Sequence, residues 1–346
     1  MAYTTINKST DYFNTKLYTG NGTTNTPQTG VGFQPDWTWI KGRSVAFDNN
    51  VFDAVRGPTK RLITNSTGAE TTANEMIKSF NSDGFTLGND DGVNKNSDTF
   101  VAWNWKANGA GSANTAGTIN STVSANTTAG FSIVKFTGNG SSGATVGHGL
   151  TTAPKIVLIK TTSGADAWTM LNTNIDLNKY LSLNSNSAEI SDPMFNNTAP
   201  TTTVFTLDAD GQVNGSGVSL IAYCFSEVTG YSKFGKYTGN GNTDGTFVYT
   251  GFKPAFYMIK RTDTTGSWII KGTKRPGYNV NGTYLVADTN IAEATGSGNL
   301  ATDELSNGFK IRGSSTAINA SGGIYSYMAF AEAPLVGSNG VTAKAR

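Results

Sequence analysis

Tyr18-Thr19-Gly20-Asn21-Gly22 returns as Phe136-Thr137-Gly138-Asn139-Gly140 and again as Tyr237-Thr238-Gly239-Asn240-Gly241. Working outward, each copy is followed by a proline (Pro35, Pro154, Pro254) and, six residues later, by a lysine (Lys41, Lys160, Lys260). The apolar run between them reads Asp36-Trp37-Thr38-Trp39-Ile40, Lys155-Ile156-Val157-Leu158-Ile159 and Ala255-Phe256-Tyr257-Met258-Ile259. An Ala-Glu pair recurs at Glu70, Glu189 and Glu293, then a Phe-x-aliphatic triplet at Phe85, Phe205 and Phe309, then an asparagine at Asn94, Asn214 and Asn319. Each copy closes on an alternating run: Val101-Ala102-Trp103-Asn104-Trp105, Ile221-Ala222-Tyr223-Cys224-Phe225 and Tyr327-Met328-Ala329-Phe330-Ala331.

These are three units of roughly 90 residues, too long for a solenoid or propeller-blade repeat and the size of a small domain. Each holds about six or seven short strands rich in Val, Ile, Thr and aromatics, separated by Gly/Asn/Asp clusters, the pattern of an antiparallel sandwich or barrel. The expectation is an all-β chain of three tandem antiparallel β-sandwich domains, jelly-roll or lectin-like. The units span residues 18–106, 131–229 and 230–335, with a tail at 336–346. Residues 107–130, poor in large apolar side chains, read as a flexible Gly/Ser/Thr/Asn linker. Thr71 to Ser79 is the best helical segment, with Ala73, Met76 and Ile77. Asn-Gly in the repeated motif predicts a two-residue hairpin. In the closing strands, period two places the aromatics on a deeply buried face and the small residues against a second sheet.

The 346 residues carry 26 Lys+Arg against 24 Asp+Glu, a net charge of +2. This argues against electrostatic nucleic-acid binding. No apolar run is long enough for a membrane-spanning helix, and the N-terminus has no signal-peptide pattern. One His (His148) and one Cys (Cys224) exclude an internal disulfide and a Cys/His zinc site. The sister units lack both groups, and Cys224 sits in an alternating apolar strand, so a Cys–His nucleophile is disfavoured. Asp83, Asp90, Asp91, Asp208 and Asp210 are candidates for paired-carboxylate or calcium chemistry, but they stand beside glycines where Asp supports turns. No catalytic residue, metal or cofactor is expected. The recurring glutamates either cap a turn or pair with the recurring lysines. Trp168 and Trp268, each eight residues after its lysine, read first as core and second as glycan contacts.

The opening Met1-Ala2-Tyr3-Thr4-Thr5-Ile6-Asn7-Lys8-Ser9, Gly32-Phe33-Gln34-Pro35-Asp36-Trp37, Phe52-Asp53-Ala54-Val55-Arg56-Gly57, Ser82-Asp83-Gly84-Phe85-Thr86-Leu87-Gly88 and Ala102-Trp103-Asn104-Trp105 resemble repetitive virion structural proteins of tailed bacteriophages, especially those of marine bacteria. The units are also similar, at the level of fold, to concanavalin A/laminin G-type sandwiches. The resemblance implies a non-enzymatic particle component on the virion exterior, assembled in the host cytoplasm. An external appendage or fibre-like protein for assembly and host adhesion is favoured. The alternatives are a capsid decoration or head-fibre protein and a carbohydrate-binding or glycan-depolymerising module. Other virion proteins are the expected partners, with a homo-oligomer, a trimer among the options, and host glycan as a further partner. Residues 1–17, with Tyr3, Ile6, Tyr12 and Phe13, are expected to dock the protein onto the particle or a neighbouring subunit.

Overall fold

A computed structural model describes residues 3–275, 278–294, 298–336 and 342. The chain is all-β, and every pairing between its described strands is antiparallel. Each repeat contributes a larger sheet with the same central order: its first strand pairs with its closing strand, which pairs with the strand between the proline and the lysine. In repeat one these are Phe13–Thr19, Thr99–Trp105 and Trp37–Gly42. In repeat two they are Phe131–Thr137, Ser219–Phe225 and Ile156–Thr161. In repeat three they are Ser232–Thr238, Ile324–Pro334 and Phe252–Arg261. Each repeat adds a small sheet: Thr26–Thr29 with Gly84–Leu87 and Ile77–Asn81, Ala144–Gly147 with Val204–Leu207, and Phe247–Tyr249 with Gly308–Ile311 and Thr302–Leu305.

The alternation of the closing strands assigns two different cores. Their small faces (Ala102, Ala222 with Cys224, Ala329 with Ala331) meet the small sheets, giving each repeat its own apolar layer around Phe85, Phe205 or Phe309. Their large faces (Trp103 and Trp105, Tyr223 and Phe225, Met328 and Phe330) belong to one cluster shared by all three repeats. Trp37 shows how it is built. Its ring lies 4.4 Å from Trp105 in its own repeat and 4.7 Å from Tyr223 in the next, centroid to centroid. The large sheets therefore wall a common aromatic centre.

The repeated Thr-Gly-Asn-Gly is a corner, not a hairpin. Strand Phe13–Thr19 lies in the large sheet and Thr26–Thr29 in the small one, so the motif carries the chain between layers. The recurring asparagine locks the corner. Asn94 Oδ1 accepts from the Asn21 N–H (3.0 Å), and its Nδ2 donates to the carbonyls of Gly88 (2.7 Å) and Thr23 (2.9 Å). Asn214 and Asn319 accept in the same way from the N–H groups of Asn139 and Asn240. Glycine is required twice: a Cβ on Gly20 would collide with the Lys95 carbonyl, and Gly22 has φ +67°.

Three other expectations are corrected. Residues 71–79 hold no helix but a two-residue strand, Thr71–Thr72, and the start of another, Ile77–Asn81, with Thr71, Thr72 and Ile77 in the pairing. The α-helices among the described residues are single turns at Asp91–Asn94, Gly211–Asn214 and Thr316–Asn319, each capped by the preceding side chain: Asp90, Asp210 or Ser315. The 107–130 segment is not a free linker. Ser112–Asn114 and Ser121–Asn126 extend the second large sheet to eight strands, with Ser121, Val123 and Ser124 buried. Strands held by backbone pairing need few large side chains, which is why composition misreads the segment. Finally, residues 3–17 dock onto their own chain. Ile6 and Phe13 enter the shared centre, where Phe13 stacks 5.4 Å from Phe330. Tyr12 packs edge-on to Tyr231, and the Tyr3 hydroxyl donates to the Gly251 carbonyl (2.7 Å). Repeat one thus begins at Phe13, in register with Phe131 and Ser232. Residues 1–2 and most of the 336–346 tail lie outside the described residues.

Candidate functional site: the contacts that close the three repeats into a ring

The residues that recur in sequence meet at the boundaries between repeats. The Glu70 N–H donates to the Thr162 carbonyl (3.0 Å), the Glu189 N–H to Thr262 (2.9 Å) and the Glu293 N–H to Arg43 (2.8 Å). Each acceptor stands two residues after a recurring lysine. A second set runs parallel to the first. Trp168 Nε1 donates to the Ile63 carbonyl (2.8 Å), Trp268 Nε1 to Ser182 (2.9 Å) and Asn49 Nδ2 to Val286 (3.1 Å). Each of these carbonyls lies seven residues before a recurring glutamate. The contacts join repeat one to two, two to three and three back to one. One chain forms a closed, threefold-like ring.

Trp168 and Trp268 are therefore wedges between repeats. They are 0 % and 3 % exposed, which leaves no ring face for a sugar. Asn49 fills the same role in repeat one with an amide instead of an indole, which explains how that repeat does without the tryptophan.

The recurring lysines are buried and bind carbonyls. Lys41 Nζ donates to Phe47 (2.6 Å) and, across the boundary, to Asn290 (3.0 Å). Lys260 donates to Gly266 (2.6 Å) and across to Asn186 (3.2 Å). Lys160 donates to Thr161 (2.7 Å). Burial pushes the pKa of all three down to about 8. Such a base binds fewer protons in the folded than in the unfolded chain between its folded value and the ordinary 10.5, so stability rises with pH across that window. We expect the melting temperature to increase from pH 8 to pH 10. Above 10 it turns down, because buried tyrosines such as Tyr237 and Tyr257 are held well above their ordinary 10.0 and ionise first in the unfolded chain. Cys224, raised by burial from 9.0 to about 12, opposes the rise as a single group. A melting curve that falls steadily from pH 8 would contradict the assignment. Replacing the three lysines with methionine should reduce the rising limb to the part left by Lys271, which burial lowers to about 7.

The glutamates pair with other bases. Glu70 meets Arg56 (3.1 Å), Glu293 meets Arg275 (2.6 Å) and Arg43 (2.7 Å), and Glu189 meets Lys179 (2.6 Å). Arg56 and Arg275 are equivalent, three residues past strand ends Asp53 and Gly272. Arg56 is held by Asp53 (2.5 Å), which also accepts from the Tyr223 hydroxyl of repeat two (2.7 Å). Burial alone would lower the Arg56 pKa, but Asp53, Tyr223 and Glu70 reverse this and raise it. Arg275 lies over Trp103, the counterpart of Tyr223. Repeat two has Ile175 at this position, and there the boundary opens into a cleft of about 190 Å³ edged by Glu189, Lys236 and Asp263.

The other candidates stay apart from this ring or serve locally. His148 is buried, its Nδ1 accepting from the Leu150 N–H and its Nε2 facing the Thr201 carbonyl, with its pKa lowered by burial. Asp83 accepts from the N–H groups of Gly30 and Gly32, and Asp90 and Asp210 cap helical turns. No cluster of three or more His, Cys, Asp or Glu suited to a metal occurs among the described residues. Sequence reasoning missed Arg56, Arg275 and Asp53; aligning the repeats past the strand ends at Asp53 and Gly272 would have exposed the paired arginines.

One family model, described as a domain of unknown function (DUF7483), matches residues 8–334. The chain belongs to the DUF7483 family. In this DUF7483 chain the match runs through all three repeats and takes in Tyr12 and Phe13. No curated protein and no solved structure matches it.

Proposed function

We propose that this chain is a non-enzymatic structural component of a tailed-bacteriophage particle. It is an external appendage or fibre-like protein acting in assembly and host-surface adhesion, with each repeat a β-sandwich whose large sheet doubles as a wall of the common core. The observation that carries the reading is the ring closure. The residues that recur between repeats hold the repeats together, and one chain supplies a closed, threefold-like body suited to a rigid structural part. The resemblance to repetitive virion proteins supports the same reading; the fold alone does not supply a function. The partners are other virion proteins, and the place is the particle exterior after assembly in the host cytoplasm.

Quantitative mass spectrometry of purified virions, with antibody labelling in the electron microscope, tests this. We expect the chain in the particle, outside the shell, at the low copy number of a tail or vertex structure. Copies on the order of hundreds, spread over the capsid lattice, would point to decoration instead. Absence from virions would refute the reading.

A further inference from the structure

The third small sheet carries two large exposed side chains that its sister sheets lack. Strand Phe247–Tyr249 is the sheet edge, paired on one side only. Its Val248 points into the core opposite Phe309, so Phe247 and Tyr249 point out, at 42 % and 53 % exposure. The matching registers in the other repeats are Gln28 opposite Phe85 and Val146 opposite Phe205. The outward neighbours there are Pro27 and Thr29, and Thr145 and Gly147. The fold thus accommodates small residues at both positions. An exposed aromatic edge is a liability for aggregation; the first sister edge carries Pro27, and the second is covered, with the Thr118 and Ile119 N–H groups bonded to the Thr145 carbonyl and Gly147 buried.

The surroundings are concave and mix apolar surface with hydroxyl and charged groups. Beside Tyr249 a cleft of about 310 Å³, near the roughly 300 Å³ lower bound of small-molecule sites, is lined by Tyr3, Glu227, Thr229 and Lys233. The Tyr3 and Tyr249 hydroxyls converge over Gly251, and contact with Tyr249 adds to the burial that raises the Tyr3 pKa. Lys233 reaches Glu227 at 3.1 Å. On the other flank, Lys310 stands opposite Phe247 and pairs with Asp244 (2.6 Å), while Arg312 pairs with Asp303 (2.6 Å). Gly308, opposite Tyr249, lets the Phe247 ring lie close over the neighbouring strand, 3.2 Å from where a Cβ on Gly308 would stand. Two aromatic rings bordered on both sides by hydroxyls, ammonium groups and carboxylates do not form the broad apolar patch of a protein interface. They match a ligand with one apolar C–H face and a rim of hydroxyls, which stacks on the rings and exchanges hydrogen bonds at its edge.

We propose that the outward face of strand Phe247–Tyr249, with the adjoining cleft at Tyr3, Glu227 and Lys233, is a binding site for a pyranose-type carbohydrate. This deepens the adhesion part of the proposed function and rests on it, but its test uses purified protein and stands apart from whether the chain is found in virions. The full chain is probed by saturation-transfer NMR with methyl α-D-mannopyranoside, methyl β-D-glucopyranoside and methyl β-D-galactopyranoside, and on a printed array of bacterial polysaccharides. We expect saturation to reach the ring C–H protons of at least one glycoside, and array binding to fall about tenfold or more in the double variant Phe247→Thr/Tyr249→Thr. Both threonines are residues the sister repeats carry, at Thr145 and Thr29, so the melting temperature should stay within about 3 °C. Tyr249→Phe, which keeps the ring, should retain most of the binding. Three results would overturn the proposal: no transfer and no array signal for the wild type; equal signal for the double variant; or wild-type self-association in sedimentation that the double variant abolishes, which would make the strip a contact between copies.

Discussion

Arg56→Met lowers the stability of the chain by about 3–5 kcal/mol, read as a drop in the urea midpoint. The Arg56 and Asp53 side chains are 1 % and 0 % exposed. Asp53 has spent its oxygens on the Arg56 guanidinium, the Tyr223 hydroxyl and the N–H groups of Val55 and Arg56. Removing the guanidinium leaves a buried carboxylate without its counter-charge, and Glu70 loses its closer base, with Lys60 left at 3.9 Å. The internal repeats supply the control. At the corresponding places repeat two carries Asn172 and Ile175, a neutral pair that the same backbone accepts. The double variant Asp53→Asn/Arg56→Ile should therefore recover most of the loss, because it removes both charges together. A double variant no more stable than Arg56→Met would show that the penalty comes from lost packing and not from the stranded charge.

Trp37→Ala costs about 3–5 kcal/mol through the cavity it opens, and it acts on the whole chain. The ring lies within 5.9 Å of Phe131 and of Phe225, besides its closer contacts with Trp105 and Tyr223, so most of its neighbours belong to repeat two. Its indole N–H has no acceptor among the described residues. Trp37→Phe consequently gives up no hydrogen bond and should cost well under half as much. Calorimetry distinguishes a shared core from three independent ones. With a shared core, Trp37→Ala moves a single transition to lower temperature. If the variant instead splits the trace, leaving one or two transitions at the wild-type temperature, the repeats unfold independently and the common centre contributes little.

Much of the local architecture is legible in the residues. The proline-to-lysine spacing marks a strand, the recurring Phe triplet marks another, and the alternation of Trp103 and Trp105 against Ala102 correctly separates a deeply buried face from one that meets a second sheet. The failures share a cause. Residues 107–130 look like a spacer because composition measures how much apolar surface a segment brings, whereas Ser121–Asn126 is held by pairing along its backbone. Tyr12 and Phe13 look like a sticky end because a sequence does not show that Phe256 and Phe330 are waiting for Phe13 in the same molecule. The strip at Phe247 and Tyr249 alternates with Val248 as any half-buried strand does. Only its contrast with Pro27 and Thr29, or Thr145 and Gly147, marks it as unusual, and that contrast needs the sheet registers to align a region where the repeats share few residues.

The chain by itself determines three copies of one strand pattern, their turns and which side of each closing strand is aromatic. These follow from periodicity and backbone chemistry within tens of residues. That the aromatic sides face one another, and that repeat three returns to repeat one, was decided only by the tertiary structure. The deciding contacts join Trp168 to Ile63, Asn49 to Val286 and Glu293 to Arg43 across 105 to 250 residues of chain. Apolar faces of similar size are interchangeable in a linear reading, and the selection among them comes from which carbonyls, guanidinium groups and rings find partners once three sheets are brought together.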